Sequence, residues 1–258
     1  MNTWTRPSVD GLSTRRGGSN SGMIVAIIQA RMSSSRLPGK VLADIAGRPM
    51  LWHVVDRAKR SRYINKVVVG TSIESADDPI DEFCRSENIE CFRGSHDDVL
   101  DRFYRAASRH EADAIVRITA DCPLIDPTIV DRVIETYLTG KFDYVSNALR
   151  YTYPDGLDAE VFSMAALETA WRDATEPRQR EHVVPFIKNH PAFRKTNVEN
   201  ETDLSREQLR WAVDEPRDLE FMRVVYSRLF RNGQNSFGLK EVLELLSKEP
   251  ELQAINQG

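Results

Sequence analysis

Short apolar, β-branched runs alternate with helical patterns along this chain, and that alternation constrains the fold more than any other feature. The runs IVAIIQA (24–30), KVVVGT (66–71) and AIVRIT (114–119) are almost continuously apolar, as in strands that are buried on both faces of a sheet. Helical spacing lies between them, most clearly over residues 97–110. Regular alternation of this kind predicts βαβ units, and therefore an α/β fold with a mostly parallel central sheet flanked by helices.

The pattern becomes less regular after residue 142, which predicts a small annex or dimerisation arm over about 142–200 within one domain that spans residues 23–250. Further elements follow from the spacing of apolar residues and turn residues: strands within 142–162 around a Tyr-Pro-Asp-Gly turn, strands over 193–198 and 209–213, and helices over 163–173, 178–189, 216–231 and 238–248. Residues 1–22 are rich in Gly, Ser, Asn and Arg and are predicted to be a disordered tail. Residues 251–258 are predicted to be a C-terminal tail.

Composition excludes several kinds of partner. Lys and Arg number 35 against 39 Asp and Glu, and the net charge of −4 offers no basic excess for a nucleic acid. No run approaches the ~18 apolar residues that a membrane span requires, so no membrane partner is expected. The three cysteines show no metal-ligand spacing and are expected to be reduced thiols of a cytoplasmic protein.

The residues that follow the first strand form the strongest functional motif. The segment 29–40, QARMSSSRLPGK, places three cations, three serines and a glycine at the carboxyl end of a buried strand, where ligands bind in α/β sheets. A triphosphate needs such fixed positive charge together with hydroxyl or backbone donors. The G-x-x-x-x-G-K pattern of a P-loop is absent, and a solvated basic turn is the alternative interpretation. As a loop lysine, Lys40 is expected to be exposed and to contribute little to stability.

Carboxylates follow two further predicted strands. Asp121 comes directly after the run 114–119, and Asp214 comes directly after the predicted strand 209–213. Each could instead cap the next helix, and at least one of Asp214, Glu215 and Asp218 is expected to do so beside Pro216. Two carboxylates at separate strand ends, facing a cationic loop, predict a site for Mg²⁺ and a triphosphate.

Several segments carry a family resemblance. Residues 29–42, GRPM (47–50), GSHDDVLDR (94–102), DGLDAEVF (155–162) and REHVVP (180–185) together resemble the cytidylyltransferases that activate 3-deoxy-octulosonate and sialic acids. The resemblance is closest to the branch named for spore-coat polysaccharide biosynthesis protein F, and it extends over residues 23–246. It implies a GT-A-like nucleotidyltransferase fold, a homodimer, CTP as one substrate, a small anionic acceptor as the other, and Mg²⁺ as cofactor.

The resemblance also implies roles for individual residues. Asp121 and Asp214 would hold Mg²⁺ and, with Arg31 and Lys40, would form the catalytic set. The residues implied in nucleotide binding are Ala30, Arg31, Ser35, Arg36, Lys40, Thr71, Ser95 and Arg102. The residues implied on the acceptor side are Arg117, Asp158, Glu160, Arg180, Glu181 and His182.

Part of the acceptor set has alternative interpretations. Asp158 and Glu160 alternate on a predicted strand and would therefore share a face. Arg180 and Glu181 could instead form a structural pair, and His182 could be a packed histidine. The octulosonate enzymes usually carry Gln-Gly-Asp where this chain has Thr119-Ala120-Asp121, which leaves the identity of the acceptor open.

These features predict an enzyme that transfers CMP from CTP to an acidic sugar of the 2-keto-3-deoxy or nonulosonic type, with release of pyrophosphate, for cell-surface polysaccharide or glycan synthesis. One alternative is a sugar-phosphate nucleotidyltransferase that uses another nucleoside triphosphate, or an enzyme with a phosphate or phosphonate acceptor. Another is a GT-A glycosyltransferase, although no second Asp stands two residues from Asp121. A third is a binding module without catalytic activity.

Overall fold

A seven-stranded sheet organises the part of the chain that the computed structural model describes, residues 22–205 and 207–256. The strands are β1 (Ile24–Gln29), β2 (Asp44–Ile45), β3 (Arg48–Pro49), β4 (Lys66–Ser72), β5 (Glu90–Gly94), β6 (Ala114–Thr119), β7 (Tyr144–Ser146), β8 (Glu160–Ser163) and β9 (Lys195–Asn197). The order in the sheet is β5-β4-β1-β6-β8-β7-β9, with β2 and β3 as a separate hairpin. Within the seven-stranded sheet of the described residues, only β8 runs antiparallel to its neighbours. The predicted α/β fold with a mostly parallel sheet is therefore confirmed.

Nine α-helices accompany the strands over the described residues. They are α1 (Met50–Ala58), α2 (Asp78–Ser86), α3 (Val99–Arg109), α4 (Pro127–Leu138), α5 (Met164–Asp173), α6 (Pro177–His182), α7 (Pro185–Asn189), α8 (Pro216–Leu229) and α9 (Leu239–Lys248). Short 3₁₀ segments occupy Lys40–Leu42, Ser75–Asp77 and Pro250–Ile255. None of the helices in residues 22–205 and 207–256 combines the length and the apolar character needed to cross a bilayer.

The central strand β1 is buried from both sides, as its continuous apolar run predicts. Ile24, Ala26 and Ile28 belong to one apolar cluster, together with residues of α1, α4, α8 and α9. Val25 and Ile27 point to the opposite face, into a second cluster with residues of α3 and α5. The sheet therefore lies between two helical layers, the arrangement that parallel strands require.

The register of the sheet brings three loops to one edge. Gln29 at the end of β1 pairs with Gly70 on β4 and with Thr119 on β6. The loops that follow β1, β4 and β6 therefore leave the sheet at the same level. Because β1 lies between β4 and β6 while the chain runs from β1 to β4 to β5 and then to β6, the order reverses between β1 and β6, where a ligand crevice is expected.

The region predicted as an annex, residues 142–200, completes the sheet. It contributes β7, β8 and β9 on the far side of β6, together with helices α5 to α7. The predicted tail 1–22 lies outside the described residues except for Gly22. The predicted tail 251–258 is not free over its described part, since Leu252 is buried and the Asn256 side chain donates to the carbonyl oxygen of Arg210 at 2.7 Å.

Two predicted elements differ from the structure. Residues 209–213 do not form a strand, because this segment crosses the end of the sheet and makes only one isolated bridge, between Arg210 and Asp155. The predicted helix 178–189 is broken at Val183, whose φ of 68° and ψ of −60° interrupt the helical path. The Val184 N–H bonds the carbonyl of His182 at 2.8 Å, which makes a classic γ-turn, a rare and strained conformation.

Candidate active site

The loop after β1 is closed by its own backbone and fastened to the loop after β4. The Gly39 N–H donates to the Met32 carbonyl at 2.9 Å, and Gly39 has a φ of 74°, which favours glycine. The buried carboxylate of Asp77 accepts from the Met32 N–H at 2.7 Å and from the Ser72 hydroxyl at 2.5 Å. Asp77 was not among the predicted site residues, although it follows β4 closely, at the end of the 3₁₀ segment Ser75–Asp77. Its side chain holds the two loops at a fixed separation.

Lys40 connects this loop to the other two parts of the site. Its Nζ atom donates to Asp121 Oδ2 at 3.0 Å, to Asp214 Oδ1 at 3.0 Å and to the Val213 carbonyl at 2.6 Å. The residue is 8% exposed. The expectation of an exposed lysine was therefore wrong, because the loop turns back at Gly39 and directs the side chain beneath itself.

Asp214 reaches Asp121 through the segment that crosses the end of the sheet. The Val213 N–H donates to the Asp121 carbonyl at 2.8 Å, and the Trp211 N–H donates to the Asp155 carbonyl at 2.6 Å. A Cβ atom at Gly156 would lie 2.4 Å from the Trp211 backbone, so only glycine admits this close crossing. The two carboxylates that the sequence analysis placed together do converge, on a single ammonium group.

Asp214 is further surrounded by arginines. Its Oδ2 atom lies 2.9 Å from Arg36 and 3.3 Å from Arg210, a residue that the sequence analysis missed. Burial alone would raise the pKa of Asp214, but the Lys40 ammonium, followed by Arg36 and Arg210, lowers it below its usual range. The buried Asp218 accepts from the backbone N–H of Asp214 at 2.9 Å. Asp218 and Glu215 form the capping box of α8, so the expected helix cap is confirmed.

A cavity of about 200 Å³ lies between the β1 loop and the two carboxylates. Its lining residues include Gln29, Arg31, Ser33, Ser34, Ser35, Arg36, Lys40, Thr119, Asp121 and Asp214. Arg31, Ser35 and Arg36 are exposed to it, whereas Lys40 lies at its base. Hydroxyl groups, cations and carboxylates around one cavity are the groups that a phosphate chain and its counter-ion require.

The carboxylates form a small oxygen cluster. No group of three or more His, Cys, Asp or Glu that could hold a metal occurs among residues 22–205 and 207–256. Asp121 and Asp214 are two such residues, and the Val213 carbonyl adds a third oxygen around the same positive charge. Mg²⁺ prefers oxygen ligands and commonly combines one or two carboxylates with substrate phosphates. The donor set therefore fits Mg²⁺ bound together with a nucleotide.

The residues implied around the nucleoside lie behind the β1 loop. The Ala30 N–H bonds the Gly70 carbonyl at 3.1 Å, and Thr71 is fully buried at the end of β4. Arg102 is 2% exposed and donates to the Ser95 carbonyl at 2.8 Å. Burial lowers the pKa of Arg102 to about 10, an effect that Asp77 opposes and Arg31 reinforces. Ser95 and Arg102 thus bond to each other, and neither lines the cavities that border Arg31.

Arg117 and His182 share a second cavity, of about 540 Å³. Lys188 and Arg178 line it as well, and neither belonged to the predicted acceptor set. His182 is exposed to solvent, so the alternative of a packed histidine was wrong. The Arg117 guanidinium also donates to Gln29 Oε1 at 3.3 Å. Because Gln29 lines the first cavity, the two cavities are adjacent.

Glu160 lies beneath this second cavity and holds its cations in place. It is 4% exposed and contacts Arg117 at 2.5 Å, Lys188 at 2.7 Å and the Tyr144 hydroxyl at 2.5 Å. Burial alone would raise the pKa of Glu160, but Arg117 and then Lys188 lower it to about 2. Glu160 is therefore a charged partner of the lysine and the arginine, with its oxygens already used.

The other members of the predicted acceptor set lie elsewhere. Arg180 donates to Asp98 at 2.6 Å and to the Trp171 carbonyl at 2.6 Å, so it forms a structural pair with Asp98 and not with Glu181. Glu181 and Arg180 line a third cavity, of about 440 Å³, with Arg31. The two residues flank the helix N-terminus of α3 instead of the cationic cavity.

Asp158 also lies apart from the cationic cavity. It precedes β8, which begins at Glu160, so the predicted alternation of Asp158 and Glu160 along one strand was wrong. Its carboxylate lies 3.4 Å from the Tyr151 hydroxyl. Burial, followed by the negative charges of Asp155 and Glu160, raises the pKa of Asp158 to about 7.

Comparison with known proteins identifies the family. A family model described as cytidylyltransferase matches residues 25–242, which is most of the chain. The chain belongs to the cytidylyltransferase family. The prediction of an enzyme, a CTP-dependent nucleotidyltransferase, is thereby confirmed at the level of the family, as is the resemblance from which it came.

Individual relatives agree with this assignment. The spore coat polysaccharide biosynthesis protein SpsF of Bacillus subtilis is 32% identical to this cytidylyltransferase over 236 residues, which cover 88% of this chain and 95% of that protein. The 3-deoxy-manno-octulosonate cytidylyltransferase of Geobacter sulfurreducens is 43% identical over 113 residues, covering 43% of this chain and 44% of that protein. A cytidylyltransferase structure from Leptospira borgpetersenii superposes with a TM-score of 0.85 at 32% identity, covering 92% and 98% of the two chains.

Proposed function

We propose that this cytidylyltransferase transfers CMP from CTP to an acidic sugar of the 2-keto-3-deoxy or nonulosonic type, with release of pyrophosphate. Family membership supports the reaction class. The observation that carries the acceptor class is the cationic cavity beside the candidate nucleotide cavity, joined to it by the contact between Arg117 and Gln29. The name of the B. subtilis relative supports a role in the synthesis of a cell-surface polysaccharide or glycan.

On the nucleotide side, the β1 loop would bind the triphosphate. Arg31 and Arg36 can each grip two phosphate oxygens, the Ser35 hydroxyl can donate one hydrogen bond, and Lys40 supplies a point charge. Arg31 and Lys40 would offset the charge that develops on the departing pyrophosphate. Ala30, Thr71, Ser95 and Arg102 would support the nucleoside from behind the loop.

Asp121 and Asp214 are the residues that would hold Mg²⁺. Bound there, Mg²⁺ would supply Lewis-acid stabilisation of the phosphate oxygens and lower the pKa of an acceptor hydroxyl. The protein's own contribution is position: the Val213–Asp121 hydrogen bond and the Asp218 cap keep the two carboxylates on the same side of the crevice.

On the acceptor side, charge selects the ligand. Three basic side chains, Arg117, Arg178 and Lys188, face two carboxylates, Glu160 and Glu176, which leaves one positive charge in excess. One excess charge matches the single carboxylate of a sugar acid better than a phosphate dianion. The exposed His182 imidazole would add a further hydrogen-bond donor. The acceptor hydroxyl would then attack the α-phosphorus in line, without a covalent enzyme intermediate.

A pyrophosphate-release assay tests this proposal. Each of the four nucleoside triphosphates is combined with Mg²⁺ and with a panel of octulosonic acids, nonulosonic acids, sugar phosphates and phosphonates. We expect release with CTP and a sugar acid only. Release with another nucleoside triphosphate, or with a phosphate or phosphonate acceptor, would replace this substrate assignment, and no release with any pair would contradict it.

Two arginine variants separate the acceptor cavity from a general charge effect. Arg178→Gln should raise KM for the acceptor about tenfold and leave KM for CTP unchanged, because a bound ion pair of this kind is worth on the order of 1.4 kcal/mol. Arg172→Gln is the matched control, since Arg172 is exposed and pairs with Asp173 outside the cavity. Equal effects of the two changes would remove the cavity from the acceptor site.

We also propose a homodimer, on the family resemblance alone. Light scattering on the purified protein at micromolar concentration tests this state, and a monomeric mass would contradict it.

A further inference from the structure

Lys40 already fills the position of a cation between the two carboxylates. Each of the three N–H groups of its ammonium has an oxygen partner: Asp121, Asp214 and the Val213 carbonyl, at 3.0, 3.0 and 2.6 Å. An ammonium has three donors and no acceptor, so this group is fully satisfied. The side chain is also almost completely withdrawn from solvent. The ammonium group is therefore surrounded by oxygen atoms as a bound cation would be, whereas a surface lysine is surrounded mainly by water.

The oxygens that a divalent cation would need are therefore already engaged. Both carboxylate oxygens of Asp214 are used, Oδ1 by Lys40 and Oδ2 by Arg36 and Arg210. Oδ2 of Asp121 is used by Lys40 as well. Arg36 and Arg210 also contact Glu215 and Asp218, and Arg217 pairs with Glu215. The linked groups are therefore four cations and four carboxylates, and no net negative charge remains to attract a free metal ion.

A triphosphate would change this balance. It brings several negative oxygens into the cavity that Arg36 and Lys40 line together with Asp121 and Asp214. Arg36 is half exposed, and its side chain can exchange its contact with Asp214 for one with the triphosphate. Lys40 follows Gly39, and a small rotation of its flexible side chain would exchange carboxylate oxygens for phosphate oxygens. Each lost contact to a carboxylate would be replaced by one to a phosphate.

We propose that the Lys40 ammonium is the resident cation of the nucleotide-free enzyme and that it leaves Asp121 and Asp214 only when a triphosphate enters. The nucleotide-free protein consequently binds divalent cations weakly, and the metal ion arrives with the nucleotide. This inference rests on the proposed nucleotide site but not on the identity of the acceptor. It also gives Lys40 a second role: it keeps two neighbouring carboxylates from repelling each other while the site is empty of substrate.

Binding of Mn²⁺ to the nucleotide-free protein tests this inference without any turnover. The electron paramagnetic resonance signal of free Mn²⁺ is titrated against the wild type, Lys40→Met and Lys188→Met. We expect Lys40→Met to bind Mn²⁺ at least about tenfold more tightly than the wild type, because a neighbouring positive charge is removed. Lys188→Met is the matched control, since Lys188 pairs with the single carboxylate Glu160, and its Mn²⁺ affinity should equal that of the wild type.

Further measurements show which residues bind the additional Mn²⁺ and keep the test valid if a variant does not fold. The double variant Lys40→Met, Asp121→Asn should lose the added affinity, and a gain that survives there would overturn the inference. Equal Mn²⁺ affinity of the wild type and a folded Lys40→Met would also overturn it. The wild type alone gives a further test: micromolar Mn²⁺ binding without nucleotide that Asp121→Asn abolishes would contradict it even if Lys40→Met failed to fold.

The outcome is separable from that of the proposed function. A gain in Mn²⁺ affinity with no CTP-dependent pyrophosphate release would sustain the exchange of cations and reject the reaction. Pyrophosphate release by the wild type, with no Mn²⁺ gain in Lys40→Met, would sustain the reaction and reject the exchange.

Discussion

At the scale of single residues, Lys40 shows the largest difference between the environment predicted from the sequence and the one found in the structure. A lysine in a polar loop is ordinarily a solvated charge that contributes little to stability. Here the turn at Gly39 directs it inward, to three oxygen partners and almost no contact with water. Lys40 was expected only to bind a ligand, but its buried contacts also stabilise the fold.

Lys40→Ala should lower the free energy of unfolding by about 1 to 3 kcal/mol, since it leaves two partly buried carboxylates facing each other. Chemical denaturation followed by circular dichroism measures the change. The double variant Lys40→Ala, Asp121→Asn should recover part of the loss, because one of the repelling charges is gone. A single variant as stable as the wild type would show that Lys40 is not held as described.

Asp121→Asn should reduce pyrophosphate release by at least about 100-fold while the protein stays folded. An amide keeps the shape of the side chain and can still bond Lys40, but it cannot offer a negative oxygen to a metal ion. Steady-state kinetics and a thermal melt of the same sample measure both effects. Near-normal turnover would contradict the proposed role of Asp121 in holding Mg²⁺.

Asp158 should make stability depend on pH. Its pKa is raised to about 7 in the folded protein, so between about pH 4 and pH 7 the folded state holds a proton that the unfolded state has lost. Stability from this group is therefore greatest at low pH and falls as the pH rises through that interval. The free energy of unfolding of Asp158→Asn, relative to that of the wild type, should increase by at least about 1 kcal/mol between pH 4.5 and pH 8. This is a partial value because the Asp158 side chain is partly solvated. Chemical denaturation at both pH values measures the difference in free energy of unfolding between the variant and the wild type, and an equal difference at the two pH values would contradict this prediction.

At the scale of elements, the break between α6 and α7 is the least expected local structure. Val183 is fully buried and β-branched, yet it has a φ of 68°. Such a conformation is costly for a branched side chain and is kept only where the surroundings enforce it. The break separates His182, on the exposed end of α6, from Lys188 on α7, and both face the cationic cavity. On a continuous helix, His182 and Lys188 would lie on different faces, and they would not both face this cavity.

The strain at Val183 should reverse the usual ranking of alanine and glycine. Val183→Gly should be more stable than Val183→Ala by about 1 kcal/mol, because glycine tolerates positive φ. Val184, with a φ of −92°, is the matched control, and there the alanine variant should be the more stable one. Denaturation midpoints of the four variants measure both differences. The same ranking at the two positions would show that Val183 is not strained.

Much of the fold can be predicted from local sequence patterns, which depend on residues that are close together in the chain. The continuous apolar runs of β1, β4 and β6 predict buried parallel strands, and residues just after β1 and β6 line one cavity at the end of the sheet. The segment 209–213 has the composition of a strand but pairs with loop residues, and the sequence does not show which partners it meets. The acceptor set divides between two cavities for the same reason. Arg180 and His182 are close in sequence, but they lie on different sides of a short helix.

At the scale of the whole molecule, distant segments brace the site. Asn256 donates to the Arg210 carbonyl at 2.7 Å, and Arg210 contacts Asp214 and Asp218. The last described residues thus reach the segment that carries the second carboxylate. We therefore expect this contact to couple the stability of the protein to the geometry of the site.

Asn256→Ala should lower the free energy of unfolding by about 1 kcal/mol, since a largely buried hydrogen bond is lost. It should also reduce turnover by a small factor, because the Arg210 backbone is less firmly held. Glu251→Ala, an exposed change in the same C-terminal segment, is the control and should do neither. Thermal melts and pyrophosphate-release rates measure the two effects, and identical behaviour of both variants would show that this contact is dispensable.

The hydrogen bond from Val213 to Asp121 has a consequence for synthesis of the protein. The β1 loop leaves the ribosome early, yet the buried ammonium within it meets its second carboxylate only after residue 214 has been made. Until then, a growing chain can assemble β1, β4 and β6 but cannot form the pair of aspartates. Nascent and truncated chains should therefore be unable to consume CTP, and catalytic competence would begin only when the chain is nearly complete.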